Sequence, residues 1–161
     1  MYTYRIGNII QADCQAIINT VNTVGVMGKG IALAFKKSFP ANYKAYRKAY
    51  EAGDLATGKM FVHHTGQLTP QIIINFPTKK HWRDRSELEY VEAGLIDLMK
   101  VIKDLEIKSI AIPPLGCGNG GLKWATVQPL IEEKLSALAR SVDIIIYKPG
   151  YADQTSRNKN V

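Results

Sequence analysis

The stretch Asn19-Thr20-Val21-Asn22-Thr23-Val24-Gly25-Val26-Met27-Gly28-Lys29-Gly30-Ile31-Ala32 decides the fold of this chain. Residues 16–21 form a short apolar run rich in β-branched side chains, which predicts a buried strand. Glycines follow at positions 25, 28 and 30, and a helical pattern begins at Ile31. A strand that leads through glycines into a helix N-terminus allows backbone N–H groups to approach a phosphate or a sugar closely.

A second stretch of the same kind is Pro113-Pro114-Leu115-Gly116-Cys117-Gly118-Asn119-Gly120-Gly121-Leu122. It follows the apolar run of residues 110–112 and precedes another helical pattern. Two glycine-lined turns from strand to helix predict a ligand that carries a pyrophosphate between two sugars.

The bulk composition indicates a globular domain over residues 1–150, followed by a polar tail or truncated linker over residues 151–161. The chain has 161 residues, of which 46% are hydrophobic and 22% charged. No apolar run approaches the ~20 residues of a membrane span, and the N-terminus lacks a signal peptide, so we expect a cytoplasmic protein. We also expect a monomer. Cys14 and Cys117 are too few for a disulfide framework. The net charge of +7 is compatible with a nucleic-acid partner but does not identify one.

The hydrophobic periodicity predicts an α/β fold, a three-layer α/β/α domain with a central mixed sheet. Ser86 is the expected N-cap of the third helix, whose apolar stripe runs from Tyr90 to Ile102. Strands are expected at 2–6, 16–21, 59–64, 71–76, 109–113 and 142–147, and the other helices at 31–39, 41–52 and 125–139.

A third stretch, Asn75-Phe76-Pro77-Thr78-Lys79-Lys80-His81-Trp82-Arg83, is expected to leave its strand at Pro77. Open α/β sheets bind ligands beyond the carboxyl ends of their strands, where this stretch would meet both glycine-rich stretches. A lysine amine is a nucleophile only when neutral, and neighbouring cations lower its pKa. Lys79 and Lys80 are therefore either nucleophile candidates or contacts to phosphate. Trp82 is either a packing residue or a platform for a nucleobase.

Other catalytic arrangements find less support in the sequence. His63 and His64 lie in a strand pattern without a cluster of acidic residues or cysteines, so no metal site is predicted. The chain lacks the Ser-centred nucleophile motif and a clear pair of catalytic carboxylates.

Together, the three stretches resemble the macrodomain family of ADP-ribose-binding α/β/α proteins. The resemblance covers residues 2–148, and it includes Lys123 and Trp124 directly after the second glycine-rich stretch. Within that family, the chain is most similar to the DNA ADP-ribosyl glycohydrolase branch, the macrodomain antitoxins of the DarG type.

The resemblance implies a hydrolase that removes ADP-ribose from a nucleobase, thymine in single-stranded DNA, without a cofactor. Such an enzyme is the antitoxin to a DNA ADP-ribosyltransferase toxin. Lys79, which directly follows Phe-Pro-Thr, would attack the anomeric carbon of the distal ribose, and Asn22 would hold that ribose. Lys80, His81, Trp82 and Arg83 would bind the DNA strand. The ADP-ribose-binding residues would be Asn8, Ile9, Thr23, Gly28, Gly30, Ile31, Gly116, Cys117, Gly118, Asn119, Gly120, Gly121 and Leu122.

Three positions depart from the patterns of related macrodomains. Asn8 stands where many members have an adenine-reading aspartate, and Lys29 lies near the place of a catalytic aspartate in the enzymes that act on acidic side chains. Gly120 replaces a carboxylate of the lysine-using animal enzyme. Two alternatives stay open: a non-catalytic reader of ADP-ribose, and a hydrolase of glutamate-linked ADP-ribose on proteins.

Overall fold

The central sheet contains six strands in a mixed arrangement. In this computed structural model, which describes residues 2–150, the strands are β1 (Tyr2–Arg5), β2 (Ala16–Asn22), β3 (Phe61–His64), β4 (Ile72–Lys79), β5 (Ser109–Ile112) and β6 (Asp143–Tyr147). Their order in the sheet is β1-β6-β5-β2-β4-β3. All neighbours are parallel except β3, which runs antiparallel to β4. The predicted tail, residues 151–161, lies outside the described residues.

Four helices cover both faces of this sheet: α1 (Gly30–Ser38), α2 (Pro40–Glu51), α3 (Leu88–Asp104) and α4 (Trp124–Leu135). Ile18 of β2 packs in one apolar cluster with α3 and α4, whereas the adjacent Ile17 packs with Phe35 of α1. This alternation follows from the two-residue period of a strand and explains why β2 is apolar on both faces. Tyr46 of α2 lies in a third cluster with Val21 and Met27. The predicted three-layer α/β/α architecture is therefore confirmed.

The end of β4 differs from the expectation. The strand was predicted to end at Phe76, but it continues through Pro77 to Lys79. β3 pairs with β4 only as far as Asn75, so that side of β4 has no ladder partner beyond this residue and tolerates a proline without an N–H. Lys79 consequently lies on a strand of the sheet rather than on a loop.

The predicted cap of α3 was wrong. Glu87 is the N-cap residue of α3 and makes no capping hydrogen bond through its side chain. Ser86 is instead buried, and its backbone N–H donates to the carbonyl oxygen of Gly120 at 2.9 Å. The connection to the second glycine-rich stretch therefore determines the position of Ser86.

Candidate functional site

Asn22 and Lys79 are brought together by the register of β2 and β4. The two strands are parallel and pair from Ala16 and Ile72 onward, and an irregularity after Val21 places Asn22 opposite Lys79. Both residues are the last of their strands. The carboxyl edge of the sheet, where open α/β sheets bind ligands, therefore holds the two side chains predicted to carry the chemistry.

The side chain of Asn22 holds the turn that follows β2. Its Oδ1 accepts hydrogen bonds from the backbone N–H groups of Val24 at 3.1 Å and Val26 at 3.3 Å. Its Nδ2 donates to the carbonyl oxygen of Val26 at 2.8 Å. Because two N–H donors face one amide atom and a carbonyl faces the other, the orientation of the amide is determined. One N–H of Nδ2 is left to contact a ligand.

The Lys79 amine lies in an environment that lowers its pKa. Burial lowers the pKa of Lys79 from its ordinary value, the carboxylate of Asp84 raises it, and the nearby Lys29 ammonium lowers it further. The Nζ donates to the carbonyl oxygen of Trp82 at 3.2 Å. Desolvation and a second cation are the influences that make a lysine amine nucleophilic.

The start of α1 connects the separate parts of the site. The pKa of Lys79 responds to Lys29, and the next residue, Gly30, approaches the second glycine-rich stretch, since a Cβ there would lie 3.3 Å from Nδ2 of Asn119. The residue after Gly30, Ile31, lines a cavity. No side chain caps the N-terminus of α1, and its first turn contains no acidic residue. Three consecutive residues thus border the lysine, the glycine loop and the cavity, beside a helix N-terminus that favours an anion.

The cavity has a volume of about 350 Å³. It brings together three of the predicted ADP-ribose-binding residues, Asn8, Ile9 and Ile31, and its wall contains Tyr147 and Lys148 near the end of β6. Its lining is mainly apolar, as expected for a pocket that holds an aromatic group. Asn8 already caps a short 3₁₀ turn, because its Oδ1 accepts from the N–H of Ile10 at 3.1 Å. An amide oxygen has a second lone pair, which stays free for a ligand donor.

The second glycine-rich stretch is held in shape by its own hydrogen bonds. The N–H groups of Cys117, Gly120, Gly121 and Leu122 all donate to carbonyl oxygens within residues 114–118. Gly116 has a φ of 73°, and a Cβ there would lie 2.5 Å from the side chain of Leu122. A Cβ on Gly120 would lie 2.4 Å from the hydroxyl of Ser86. Glycine is required at position 116 because the backbone there is left-handed, whereas a side chain at position 120 would displace the Ser86 hydroxyl.

The predicted DNA-binding residues form an exposed platform beside Lys79. The Trp82 side chain is 42% exposed, and the Arg83 guanidinium lies 4.6 Å from the centroid of its ring. The His81 ring lies 5.1 Å from the Trp82 ring, tilted by 31°. Lys80 is exposed, with its amine 5.7 Å from the Tyr90 ring centroid. Thr23 ties this segment to the Asn22 turn, since its N–H and its hydroxyl both donate to the carbonyl oxygen of Lys80, at 3.0 and 2.9 Å.

The structure gives four residues contacts near the site that the sequence did not predict. Lys29 and Asp84 act on the Lys79 amine, Ser86 packs against Gly120, and Tyr46 contacts Asn22. Lys29 lies within the first glycine-rich stretch and Asp84 directly follows the third, so the sequence places both near the site. Tyr46 comes from a separate helix and had no sequence signal, and Ser86 was expected only as a helix cap. Residues 2–150 contain no group of three or more His, Cys, Asp or Glu side chains that could hold a metal ion. Within the same range, no helix is both long and apolar enough to cross a lipid bilayer.

The chain is similar to known proteins in sequence. A Macro domain family model matches residues 18–131. The "DNA ADP-ribosyl glycohydrolase" of Mycobacterium tuberculosis is 55% identical over 150 residues, which are 92% of this chain and 42% of that protein. A "DNA ADP-ribosyl transferase-DNA ADP-ribosyl glycohydrolase fusion protein" of Thermosipho africanus is 35% identical over 89% of this chain and 40% of its own length.

Solved structures show the same similarity. The macrodomain of Mycobacterium tuberculosis DarG matches with a TM-score of 0.91 and 54% identity, over 93% of this chain and 99% of that one. Thermosipho africanus DarTG in complex with ADP-ribose matches with a TM-score of 0.82 and 35% identity, over 91% of this chain and 42% of that one. The chain thus spans about two fifths of the length of the curated relatives, 42% of the first.

Proposed function

The chain belongs to the macrodomain family, and on that basis we propose that it is a hydrolase that removes ADP-ribose from a nucleobase, thymine, in single-stranded DNA. The observation that carries this proposal is the pairing of Asn22 with Lys79, whose amine is partly desolvated, at the carboxyl edge of the sheet. The names of the Mycobacterium and Thermosipho relatives support the same activity.

In this proposal, ADP-ribose lies along the start of α1. The adenosine occupies the cavity at Asn8 and Ile9, and the pyrophosphate lies at the α1 N-terminus opposite the second glycine-rich stretch. Gly118 and Asn119 begin a 3₁₀ turn, and their N–H groups are the donors that we assign to the pyrophosphate. The distal ribose then reaches the Asn22–Lys79 pair, which leaves its glycosidic carbon close to the amine.

The reaction follows from the roles of these two side chains. The neutral Lys79 amine attacks the anomeric carbon of the distal ribose, the bond to the base breaks, and the base leaves with a proton. The free N–H of Asn22 holds a ribose hydroxyl during the attack. The resulting glycosylamine opens its ribose ring to a Schiff base with Lys79, and water hydrolyses this imine, which releases ADP-ribose and restores the amine. Every group named lies on a strand end or on a turn that hydrogen bonds hold in place.

The Trp82 platform is proposed to hold the DNA strand. Replacing Trp82 with alanine is expected to weaken binding of an ADP-ribosylated oligonucleotide about tenfold, because stacking on an aromatic ring contributes about 1–3 kcal/mol per base. Affinity for free ADP-ribose, measured by calorimetry, should stay within a factor of about two, since Trp82 lies outside the cavity. Leu68→Ala, at an 89% exposed position in the β3–β4 turn, is the control and should change neither affinity. Equal losses for both ligands after Trp82→Ala would contradict the assignment.

The pH dependence should report the Lys79 amine. The neutral amine is the reactive form, so kcat is expected to rise with pH, with a midpoint below the ordinary lysine pKa of 10.5. The Asp84 carboxylate favours the charged amine, so Asp84→Asn should move the midpoint of the profile to lower pH. A midpoint that stays in place in this variant would argue against Lys79 as the titrating group.

A toxin partner follows from the Thermosipho fusion protein, whose name joins a DNA ADP-ribosyl transferase to a DNA ADP-ribosyl glycohydrolase. We propose that this chain reverses the product of such a transferase and serves as its antitoxin. Co-expression tests this partnership: the wild-type chain should restore growth to cells that produce the transferase, and a chain without hydrolase activity should not.

The substrate class is tested by giving the protein two substrates. One is a single-stranded oligonucleotide that carries ADP-ribose on thymine, and the other is a protein that carries it on glutamate. Release from the oligonucleotide alone, followed by chromatography of free ADP-ribose, is the expected result. Release from the protein alone would identify a glutamate-directed hydrolase instead. Binding of both substrates without release would leave a reader of ADP-ribose.

A further inference from the structure

We infer that Tyr46, from helix α2, is a positioning residue that holds Asn22 for the reaction. This inference rests on the proposed function, since it assigns Tyr46 a part in the hydrolase chemistry. Asn22 is the last residue of β2, and a loop follows it. The position of its side chain therefore depends on contacts with neighbouring elements. Tyr46 is fully buried.

The Tyr46 hydroxyl contacts both the backbone and the side chain of Asn22. It donates to the Asn22 carbonyl oxygen at 2.7 Å and lies 2.9 Å from Asn22 Oδ1. Burial favours the protonated phenol by raising the pKa of Tyr46, so the hydroxyl remains a donor throughout the neutral and alkaline range. The Tyr46 hydroxyl therefore restrains both the end of β2 and the rotamer of the Asn22 side chain.

Neighbouring residues of α2 strengthen this restraint. Arg47 donates through a guanidinium N–H to the carbonyl oxygen of Gly25 at 3.1 Å. The Tyr50 ring lies against Gly25, where a Cβ would come within 2.7 Å of it. One turn before Tyr46, Asn42 forms a reciprocal pair of hydrogen bonds with Asn75 of β4, at 3.1 and 2.8 Å. Helix α2 thus holds β4 with Asn42 and the Asn22 turn with Tyr46, Arg47 and Tyr50.

This arrangement matters because the reaction needs a constant distance between Asn22 and Lys79. A misplacement of about 1 Å in a reacting group can cost a large factor in rate, whereas binding of the remainder of the ligand is little affected. Hydrogen bonds that Asn22 Oδ1 accepts also polarise the amide and strengthen the donor at Nδ2. The Tyr46 hydroxyl therefore contributes to kcat more than to affinity for ADP-ribose.

Tyr46→Phe tests the inference, because the ring remains and only the hydroxyl is lost. We expect kcat for release of ADP-ribose from the oligonucleotide to fall about tenfold, in line with the loss of one buried hydrogen bond. The Kd for free ADP-ribose should stay within a factor of about two, because Tyr46 does not line the cavity. Tyr43→Phe, which removes a hydroxyl one turn earlier on α2, is the matched control and should leave both quantities unchanged.

A second measurement does not depend on catalysis or on the variant. In wild-type protein, NMR should detect a slowly exchanging Tyr46 hydroxyl proton with a nuclear Overhauser effect to the Asn22 side-chain amide. Unchanged kcat in Tyr46→Phe, an equal loss of kcat and affinity, or a rapidly exchanging hydroxyl would overturn the inference. If wild type releases no ADP-ribose while the hydroxyl contact is observed, the proposed function fails instead.

Discussion

Replacing Lys79 with alanine is expected to abolish release of ADP-ribose from the oligonucleotide, with a loss in rate of at least about 10³-fold, because the amine that forms the covalent adduct is removed. Lys79→Arg should be equally inactive, since a guanidinium keeps its proton at any accessible pH. Reduction with borohydride during turnover should trap ADP-ribose on wild-type protein, and mass spectrometry should find no adduct on either variant.

The arginine variant separates the two roles that the sequence left open for this lysine. A lysine that only contacts phosphate would tolerate arginine, because the positive charge is retained. Full or nearly full activity of Lys79→Arg would therefore reject the nucleophile and favour a phosphate contact. Lys80→Ala is the neighbouring control; its side chain is exposed, and the variant should retain adduct formation. Because burial disfavours the charged Lys79 amine, Lys79→Ala is not expected to lower Tm. A measured Tm equal to that of the wild type would exclude unfolding as the cause of the lost activity.

Replacing Gly94 with alanine should destabilise the fold by about 1–3 kcal/mol, although alanine is the better helix former. Gly94 lies within α3, where a Cβ would come 2.3 Å from the ring of Phe76 in β4. Phe76 is fully buried, so its ring has no space into which it can move freely. Urea unfolding should show a lower midpoint with an unchanged slope.

Two further variants test the physical cause of this loss. Ala93→Gly changes the exposed neighbour and should lower stability by about 1 kcal/mol, which shows that helix propensity acts normally in α3. Phe76→Leu replaces the ring with a smaller side chain and makes room for a Cβ at position 94. The double variant with Gly94→Ala should therefore lose less free energy of unfolding than the two single variants lose together. A higher unfolding midpoint for Gly94→Ala alone would show that the helix and sheet do not pack this closely.

The residues of the candidate site were predicted from local patterns in the sequence. Glycines after an apolar run and before a helical run indicate a phosphate-binding turn wherever they occur, since the requirement for close backbone approach is local. The short apolar run of β2 likewise predicted a buried strand. The same local reasoning failed at Ser86 and at the end of β4, because contacts with Gly120 and the short length of β3 decide these two points.

The amino-acid sequence alone determined the α/β/α layers, the two glycine-lined turns and the position of Lys79 after a buried apolar run. It could do so because hydrophobic periodicity and the effect of glycine on the backbone depend on only a few neighbouring residues. The tertiary structure alone decided that Lys79 faces Asn22, that Gly30 approaches Asn119, and that Tyr46 supports the Asn22 amide. The residues in these contacts are far apart in the sequence: Asn22 and Tyr46 are separated by 24 positions, and Gly30 and Asn119 by 89. Strand register and helix packing set such distances, and neither can be read from a single segment.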